Sequence, residues 1–473
     1  MQEMMPYRQH NNSNFITETM HINPGSNLSN LSSTGIRCTA TLSNGSFQVI
    51  DSTSSSNDKD SLKWFFKAVS EADTSSFVKA IVPTPRYNGG CAAVSQRLYC
   101  YGGTSNLQPT SDHYVFDLST DFPIDGSIQA WNKVVTGDFE TEPNSLFSIV
   151  PLTDKFLVHG GLGYGSSTKF LKNTTTVYNA LDGTWSTINS TNQTSMTPSR
   201  EETSTLDSSN RIWTWGGIRT SVNTTTTMYH DEFQVLDLNN MAWSFPDSTK
   251  TSYPRARIAH TATLGRSGQS IFYVGGLEVN DSGMLSSVSM GQILEYHIAN
   301  NTWTTHQSPS NSTIPSPRRL HTATQIPNTD LILVYGGSAT DASKTVADYS
   351  YLLNTTSFQW AAVNILNTGA GPRFGHSVFG ADSIGSLRND FFVIDIINWQ
   401  WVTSFRTDGV YPTTSVQPSN SASSSSSSST SITNNDQSGQ TSSANTNNQA
   451  PAAFNYMKTA YLIIGVMIVF TFL

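Results

Sequence analysis

The sequence predicts an all-β protein in which one four-stranded sheet is repeated around a ring, and three observations support this fold class. Gly-Gly pairs recur at spacings of 56 to 61 residues, and a tryptophan follows each pair by 23 to 28 residues. Short apolar strands bounded by turn residues lie between these markers, and no stretch of about twelve residues in the body shows a helical period. Four-stranded sheets repeated in this way around a common axis form a β-propeller.

Each complete unit has the same four parts. A first strand, such as HTATL at His260, leads into an apolar second strand that ends in Gly-Gly, such as IFYVGG; a polar loop, a third strand such as FQVLDL and a fourth strand with the tryptophan follow. Glycine lets neighbouring backbones approach closely near the axis, and tryptophan fills the wider outer gap between sheets. The pairs are Gly102-Gly103, Gly160-Gly161, Gly216-Gly217, Gly275-Gly276 and Gly336-Gly337, and the tryptophans are Trp131, Trp185, Trp243, Trp303, Trp360 and Trp401.

An arginine precedes four of the five Gly-Gly pairs, with a small residue or a histidine three positions later. These positions are Arg86/Gly89, Arg200/Thr203, Arg257/His260 and Arg318/His321, whereas the unit of Gly160 has Ser145 and Ser148 there. Three histidines could bind a metal. Because His260, His321 and His376 occupy the same place in each repeat, the sequence instead predicts that they are hydrogen-bonding members of the first strand.

These units resemble the kelch repeat, in which a strand ends in Gly-Gly, the third strand carries an aromatic residue and the fourth a tryptophan. The resemblance covers roughly residues 36 to 410 and is to the propellers described as galactose-oxidase-like or attractin/muskelin-like. A WD-type propeller is disfavoured, because the chain contains no Trp-Asp dipeptide.

Two units depart from the pattern. The first has FQVID at Phe47 and Trp64 but no Gly-Gly, and the last has 7 residues from Arg373 to Gly380 where the other units have 16 to 18, which predicts that its second strand is missing. Counting Trp64 favours seven blades, and six remain if residues 47 to 64 complete the last blade. The blades are expected near residues 36–64, 85–131, 144–185, 198–243, 254–303, 317–360 and 372–401.

Composition excludes several classes of protein. The chain has 473 residues, a formal charge of −8 and 13% charged residues, which argues against a nucleic-acid partner. Three cysteines exclude a disulfide scaffold and a Cys-rich zinc module. Cys91 and Cys100 face each other across the hairpin CAAVSQRLYC; they are a disulfide candidate in an oxidising compartment and small core residues in the cytosol.

The segments outside the propeller differ from it in composition. Residues 1–35 are predicted to be disordered, 411–452 form a Ser/Thr-rich low-complexity stalk, and 453–473 are an apolar membrane segment. A spanning helix, a tail anchor on a cytosolic body and a removable lipid-anchor signal stay open; the favoured interpretation is a single-pass or anchored protein with an extracellular propeller. The N-glycosylation candidates in the propeller are Asn173, Asn189, Asn192, Asn223, Asn280, Asn300, Asn311 and Asn354.

The resemblance implies two classes of function. Galactose oxidase proper binds copper through Tyr and His side chains, with one Tyr cross-linked to Cys. The dipeptides Tyr229-His230 and Tyr296-His297 are expected in a loop and in a third strand, whereas the oxidase places such a pair at the start of a first strand, and the stalk follows the last blade where the oxidase has another domain. The sequence therefore favours a non-catalytic module without cofactor that binds a protein or a glycan; the alternatives are a copper-radical oxidase and a cytosolic tail-anchored scaffold.

The partner site is expected on one face of the ring. The second-to-third-strand loops are long and lie on the same face as the connections between blades, which we call the long-loop face; the short hairpin turns lie on the opposite turn face. Loops presented by a rigid scaffold often carry function. The residues of the long-loop face best suited to contacts are Tyr164, Arg219, Tyr229 and His230.

Overall fold

The computed structural model describes residues 37–41, 47–51, 81–412, 462–464 and 467–469, except for 126, 128–129, 136–138, 164–170, 189–198, 221–226 and 247–253. Contacts between Cα atoms divide the chain into two units, Met1–Lys79 and Ala80–Leu473. In the first unit, strands Arg37–Thr41 and Phe47–Asp51 form an antiparallel hairpin in which Cys38 is opposite Ile50. The predicted stalk and most of the predicted terminal segments lie outside the described residues.

The described residues of the second unit form six four-stranded antiparallel sheets, numbered here 1 to 6 along the chain. In sheets 1 to 5 the four strands follow one another along the chain in meander order, as the repeat predicts, and the short strands of the connecting loops are not part of these sheets. Their strands are Gly90–Val94, Arg97–Tyr101, His113–Asp117 and Asn132–Lys133; Ser148–Pro151, Lys155–His159, Thr175–Asn179 and Thr184–Thr187; Thr203–Leu206, Arg211–Trp215, Phe233–Asp237 and Ala242–Ser244; Thr261–Leu264, Ser270–Val274, Gln292–His297 and Thr302–Gln307; and Thr322–Gln325, Leu331–Tyr335, Ser350–Asn354 and Trp360–Ala362.

Sheet 6 is assembled differently. Its two outer strands, Val393–Asp395 and Gln400–Trp401, come from the last repeat, and its two inner strands are Leu462–Ile464 and Met467–Val469. These inner strands fall within the segment for which the sequence predicted a membrane anchor. Among the described residues, no helix has the length and apolar character needed to cross a membrane.

A closed ring of backbone hydrogen bonds joins the sheets next to their first strands. Each member donates its N–H to the carbonyl of the previous member, and Asn88 closes the ring on Gly375 at 2.6 Å, while the other five bonds are 2.9 to 3.1 Å. The members are Asn88, Leu146, Glu201, Ala259, Leu320 and Gly375. Six described segments form this closed ring, whereas the tryptophan count favoured seven blades.

All six ring members have positive φ, between 51° and 59°. Left-handed backbone is unfavourable for residues with a Cβ, at roughly 1–2 kcal/mol each, yet five of the six members are not glycine. The hydrogen bonds on both sides of each member hold it in this conformation. The ring therefore depends on backbone geometry, which explains why no single residue type marks it in the sequence.

The Gly-Gly pairs make the next layer of contacts between sheets. The second glycine of each pair donates its N–H to a carbonyl of the following repeat, from Gly103 to Asn144 at 2.8 Å through Gly337 to Arg373 at 2.7 Å. At Gly336, which has φ +67, an added Cβ would lie 2.1 Å from the Arg373 carbonyl oxygen. The close backbone approach predicted for these glycines is thus present in the structure.

The fourth-strand tryptophans lie in the apolar layers between and within the sheets. Trp131, Trp185, Trp243, Trp360 and Trp401 are buried, and Trp303 is half-buried in an aromatic cluster with Trp215 and Tyr273. The outer edge of sheet 1 is joined to the chain that follows sheet 6 by a short pairing of Phe122–Pro123 with Ser404–Phe405.

Candidate functional site

The long-loop face carries extra hairpins that rise from the second-to-third-strand connections. In sheet 3 the hairpin is Ile218–Thr220 with Thr227–Tyr229, and in sheet 4 it is Leu277–Val279 with Leu285–Ser287. Each gains a third strand from the start of its own repeat. Shorter hairpins rise from sheet 1 (Thr104–Ser105 with Gln108–Pro109) and sheet 6 (Gly380–Ala381 with Leu387–Arg388).

The hairpins of sheets 3 and 4 support each other through a small apolar cluster. Ile218, Ile258 and Leu277 are buried in it, and Tyr229 and Leu285 pack against it. The described strands of the two hairpins thus pack against each other, and we call them together the wall.

Aliphatic residues are exposed on these hairpins. Leu107 is 87% exposed on sheet 1, Met228 50% on sheet 3, Met284 65% on sheet 4 and Ile384 79% on sheet 6. We call these four residues the apolar tips. On the turn face of the described residues, Leu181, Met241 and Ile397 are the exposed large apolar residues of the third-to-fourth-strand turns.

The four residues predicted for partner contacts differ in their exposure to solvent and in whether the structure describes them. Tyr164 lies outside the described residues. Arg219 is mostly buried, with 17% of its side chain exposed, and its Nη1 is 3.4 Å from the Glu232 carboxylate. Tyr229 is half-buried in the wall, and His230 is 7% exposed, so the structure brings Arg219, Tyr229 and His230 into one hairpin region but turns them largely inward.

A polar cluster lies beneath this wall, between sheets 2 and 3. The Glu202 carboxylate is fully buried, accepts a hydrogen bond from the Ser199 hydroxyl and lies 3.5 Å from His159 Nε2. The Thr175 hydroxyl contacts the other ring nitrogen of His159 at 2.8 Å. Burial lowers the pKa of His159 and the Glu202 carboxylate partly offsets this effect; burial lowers the pKa of the adjacent His230 to about 3.

The three repeated histidines hold neighbouring sheets together. His260, His321 and His376 are buried, and the Nε2 atom of each contacts a threonine hydroxyl of the preceding sheet: Thr203 at 2.9 Å, Thr261 at 3.2 Å and Thr322 at 3.2 Å. Burial, with a nearby arginine, lowers the pKa of His321 and of His376 to about 3. These side chains therefore serve as neutral hydrogen-bonding members of the first-strand motif, as expected.

Two of the motif arginines, Arg86 and Arg318, are buried anchors for the loops. Arg86 donates to the Gly102 carbonyl at 2.9 Å and pairs with Asp112 at 3.1 Å. Arg318 repeats this arrangement with the Gly336 carbonyl at 3.1 Å and Asp348 at 3.0 Å. Since a buried arginine needs a carboxylate partner, each pair fixes the end of a second-to-third-strand loop to the inner part of its sheet.

The structure corrects the motif position in two repeats. Gly217 donates its N–H to the Arg257 carbonyl, and in the same way Gly161 donates to Ser199 and Gly103 to Asn144. The pairs equivalent to Arg257/His260 are therefore Ser199/Glu202 and Asn144/Phe147. Each begins one residue before the pair predicted from the arginine spacing. The signal was present in the first strands, because ETSTL at Glu202 aligns with HTATL at His260. Because the motif was placed by the arginine spacing, Glu202, Asn144 and Phe147 were not identified as its members from the sequence.

Of the residues considered for copper chemistry, Tyr296 and His297 have structural partners, whereas neither ring nitrogen of the buried His230 has a hydrogen-bond partner among the described residues. The Tyr296 hydroxyl donates to Asn301 Oδ1 at 2.9 Å inside an aromatic cluster, and His297 lies 3.3 Å from the Ser270 hydroxyl. Within the part of the chain that the structure describes, no three His, Cys, Asp or Glu side chains are grouped as metal ligands.

The modification candidates are distributed over both faces. Cys91 and Cys100 are opposite each other in sheet 1 and form a buried disulfide. Asn300 and Asn311 are exposed, whereas Asn173, Asn280 and Asn354 are half-buried. Asn189, Asn192 and Asn223 lie outside the described residues.

Comparison with known proteins agrees with this architecture. A family model described as the KLHDC2/KLHL20/DRC7 Kelch-repeats domain matches residues 38–276. No curated protein matches the chain.

Proposed function

The chain belongs to the family of kelch-repeat β-propellers, and from this premise we propose that it is a non-catalytic module that binds a protein partner through its long-loop face. The observation that carries this proposal is the set of four apolar tips, Leu107, Met228, Met284 and Ile384, exposed on hairpins that a rigid ring holds in place. Loops presented by a rigid scaffold often carry function, and exposed apolar side chains on them can enter apolar pockets of a partner.

The chemistry of the tips favours a protein over a glycan. Leucine, isoleucine and methionine side chains offer no strong hydrogen bonds to sugar hydroxyls, whereas they can enter apolar pockets of a protein. Methionine adapts its shape to different partners. Ion pairs lie on the hairpins of Met228 and Met284: Arg219 pairs with Glu232 at 3.4 Å and Arg255 with Asp281 at 2.6 Å. Such charges suit the polar rim of an interface.

The partners of four buried polar side chains support a non-catalytic role. His321 and His376 bond to threonines, Arg318 bonds to Asp348, and Tyr296 bonds to Asn301. A general acid or base must reach its substrate, and these groups are closed in between sheets. Their role in the proposal is to keep the loop-bearing ring rigid.

The disulfide supports an oxidising compartment for the propeller. Disulfides persist in secreted and lumenal proteins and are rare in the cytosol, and Cys91 and Cys100 are both 3% exposed. We place the propeller on the extracellular or lumenal side. The membrane tether at residues 453–473 and the N-linked glycans stay predictions.

Site-specific photo-crosslinking in the producing cells tests the proposal. A photo-reactive amino acid replaces Met228 or Met284 on the long-loop face, and Leu181 or Met241 on the turn face as matched exposed controls. We expect a discrete protein adduct from the tip positions, at several times the yield of the control positions.

Three results would contradict the proposal. Equal adducts from both faces, or none from the tips, would remove the binding face. Stoichiometric copper together with hydrogen peroxide formed from a primary alcohol would show an enzyme. Free, alkylatable thiols at Cys91 and Cys100 in intact cells would place the propeller in a reducing compartment.

A further inference from the structure

The last repeat lacks both of its inner strands. In sheet 5, the residue that follows Gly-Gly, Ser338, pairs with Arg319 near the start of its repeat; in the last repeat, Ala381 pairs in the same way with Phe374. Gly380 therefore occupies the place of the second glycine of the pair, directly after the first-strand motif of His376. The sequence predicted that one strand is missing here; the structure shows that the repeat supplies neither the first nor the second strand.

The open place is filled by backbone from the end of the chain. Leu462–Ile464 pairs with the third strand of sheet 6, with Ile463 opposite Ile394 and Ile464 opposite Val393. Met467–Val469 pairs with Leu462–Ile464 as the innermost strand. It contacts the first strands of sheets 1 and 5, Gly90–Val94 and Thr322–Gln325, which completes the ring of first strands.

The residue types of this segment suit an inner hairpin. Leucine, isoleucine and valine dominate residues 462–469, and β-branched residues are favoured in strands. The second strands of sheets 1 to 5 are similarly apolar; Ser270–Val274, for example, is buried throughout.

Sheet 6 also gives a physical reason to bind such a hairpin. Val393 and Ile394 are fully buried in this arrangement, and without the inner strands they would form an open apolar strand edge. Such edges promote pairing with other chains and aggregation. The residues from 413 to 461 could extend over on the order of 160 Å, so chain length does not prevent the return to the ring.

We propose that the last repeat of this propeller is a strand-acceptor site that binds residues 462–469 of the same chain, which makes the propeller six-bladed and makes the apolar tail its closing hairpin. Insertion of these residues into a bilayer and their pairing with Val393–Asp395 are mutually exclusive. The inference is independent of the partner-binding proposal, because the apolar tips are not involved in it.

Cysteine pairing in the full chain tests this site in the cells that produce the protein. Ile394→Cys with Ile463→Cys joins directly opposed positions, whereas the control, Ile394→Cys with Ile468→Cys, joins positions separated by a further strand. Both carry Cys38→Ser. A disulfide needs Cα atoms within about 7 Å, and two strand spacings amount to about 10 Å. We expect an intramolecular cross-link in the first variant, at least tenfold above the control, by mass spectrometry of unreduced peptides.

A second variant pair tests the energetic role of the segment. Ile463→Lys with Ile468→Lys should lower the Tm of the propeller by several degrees, whereas Ala453→Lys with Met457→Lys, outside the paired residues, should leave it unchanged. Absence of the 394–463 cross-link, a cross-link between two chains, or equal Tm values for the two lysine pairs would each overturn the proposal.

Discussion

The contacts between neighbouring sheets divide into two groups that differ in side-chain chemistry. At the contacts of sheet 3 with 4, 4 with 5 and 5 with 6, a buried histidine bonds to a threonine of the preceding sheet. Between sheets 2 and 3 the same position is Glu202, next to His159, and between sheets 1 and 2 it is Phe147, which lies close to Gly90 and Gly102.

The backbone is the same at all of these contacts. The second glycine of each Gly-Gly pair bonds to a carbonyl of the following repeat, and the ring members bond from sheet to sheet whether the side chain nearby is histidine, glutamate or phenylalanine. The ring is therefore held together by backbone hydrogen bonds, and the side chain at this position is a replaceable filler. Three predictions test this division.

The largest effect is expected where a side chain would collide with the shared backbone. Gly336→Ala places a Cβ 2.1 Å from the Arg373 carbonyl oxygen, so we expect a loss of more than about 3 kcal/mol in the free energy of unfolding. Gly371→Ala is the control, because Gly371 has nearly the same φ, +65, and open space around it. It should cost about 1 kcal/mol. Equal losses, measured by urea unfolding, would show that the backbone contact is not the critical element.

The second effect separates the histidine contacts from the others by their pH dependence. The folded-state pKa of His376 is lowered to about 3, whereas an unfolded chain protonates near 6.5. The unfolded state therefore binds more protons below pH 6.5, and the stability present above that pH is lost as pH falls, at about 1.4 kcal/mol per pH unit for each such histidine.

His376→Gln removes one titrating histidine, so the slope of the unfolding free energy against pH should fall by about 1.4 kcal/mol per pH unit between pH 6 and 4. Thr322→Val removes the hydroxyl partner of His376 but no titrating group, so it should lower stability by about 1 kcal/mol at every pH. Urea titrations from pH 4 to 8 distinguish the two results, and an unchanged slope in His376→Gln would refute the assignment.

The smallest effect is expected from a conservative change at the exceptional contact. Glu202→Gln keeps an acceptor for the Ser199 hydroxyl and removes the buried charge, so we expect a change of about 1 kcal/mol or less. Glu202→Ala leaves Ser199 without this acceptor and opens a cavity, and it should cost about 2–3 kcal/mol. If Gln were as destabilising as Ala, the carboxylate charge itself would be essential, and glutamate could not be regarded as a filler.

The sequence allowed the repeat, its strand order and the role of the repeated histidines to be predicted, because each depends on residue types that recur at fixed positions. The number of ring members could not be counted from Trp64, since ring closure depends on hydrogen bonds of residues as different as Leu146, Glu201 and Gly375. The same limit applies to the proposed binding face. Tyr229 and His230 looked suitable for contacts, but the wall packs them inward, and the apolar tips carry no motif.

The pairing of Leu462–Ile464 with Val393 and Ile394 was the least predictable feature, because an uncharged apolar run satisfies the requirements of a bilayer and of an inner strand equally well. Hydropathy does not distinguish these environments. The inner-strand environment is favoured only because the last repeat lacks two strands. This gap is recognised by comparing sheet 6 with the other five sheets.

The ring of left-handed residues has a consequence for how such a chain can change over generations. Every member both donates and accepts one hydrogen bond, so excision of a whole repeat breaks two of these bonds and duplication breaks one, and either change alters the angle at all the others. The number of repeats is consequently difficult to change, whereas the hairpins of the long-loop face can lengthen, shorten or change their outermost residues one at a time. New partners can therefore be acquired by small mutational steps without rebuilding the hub.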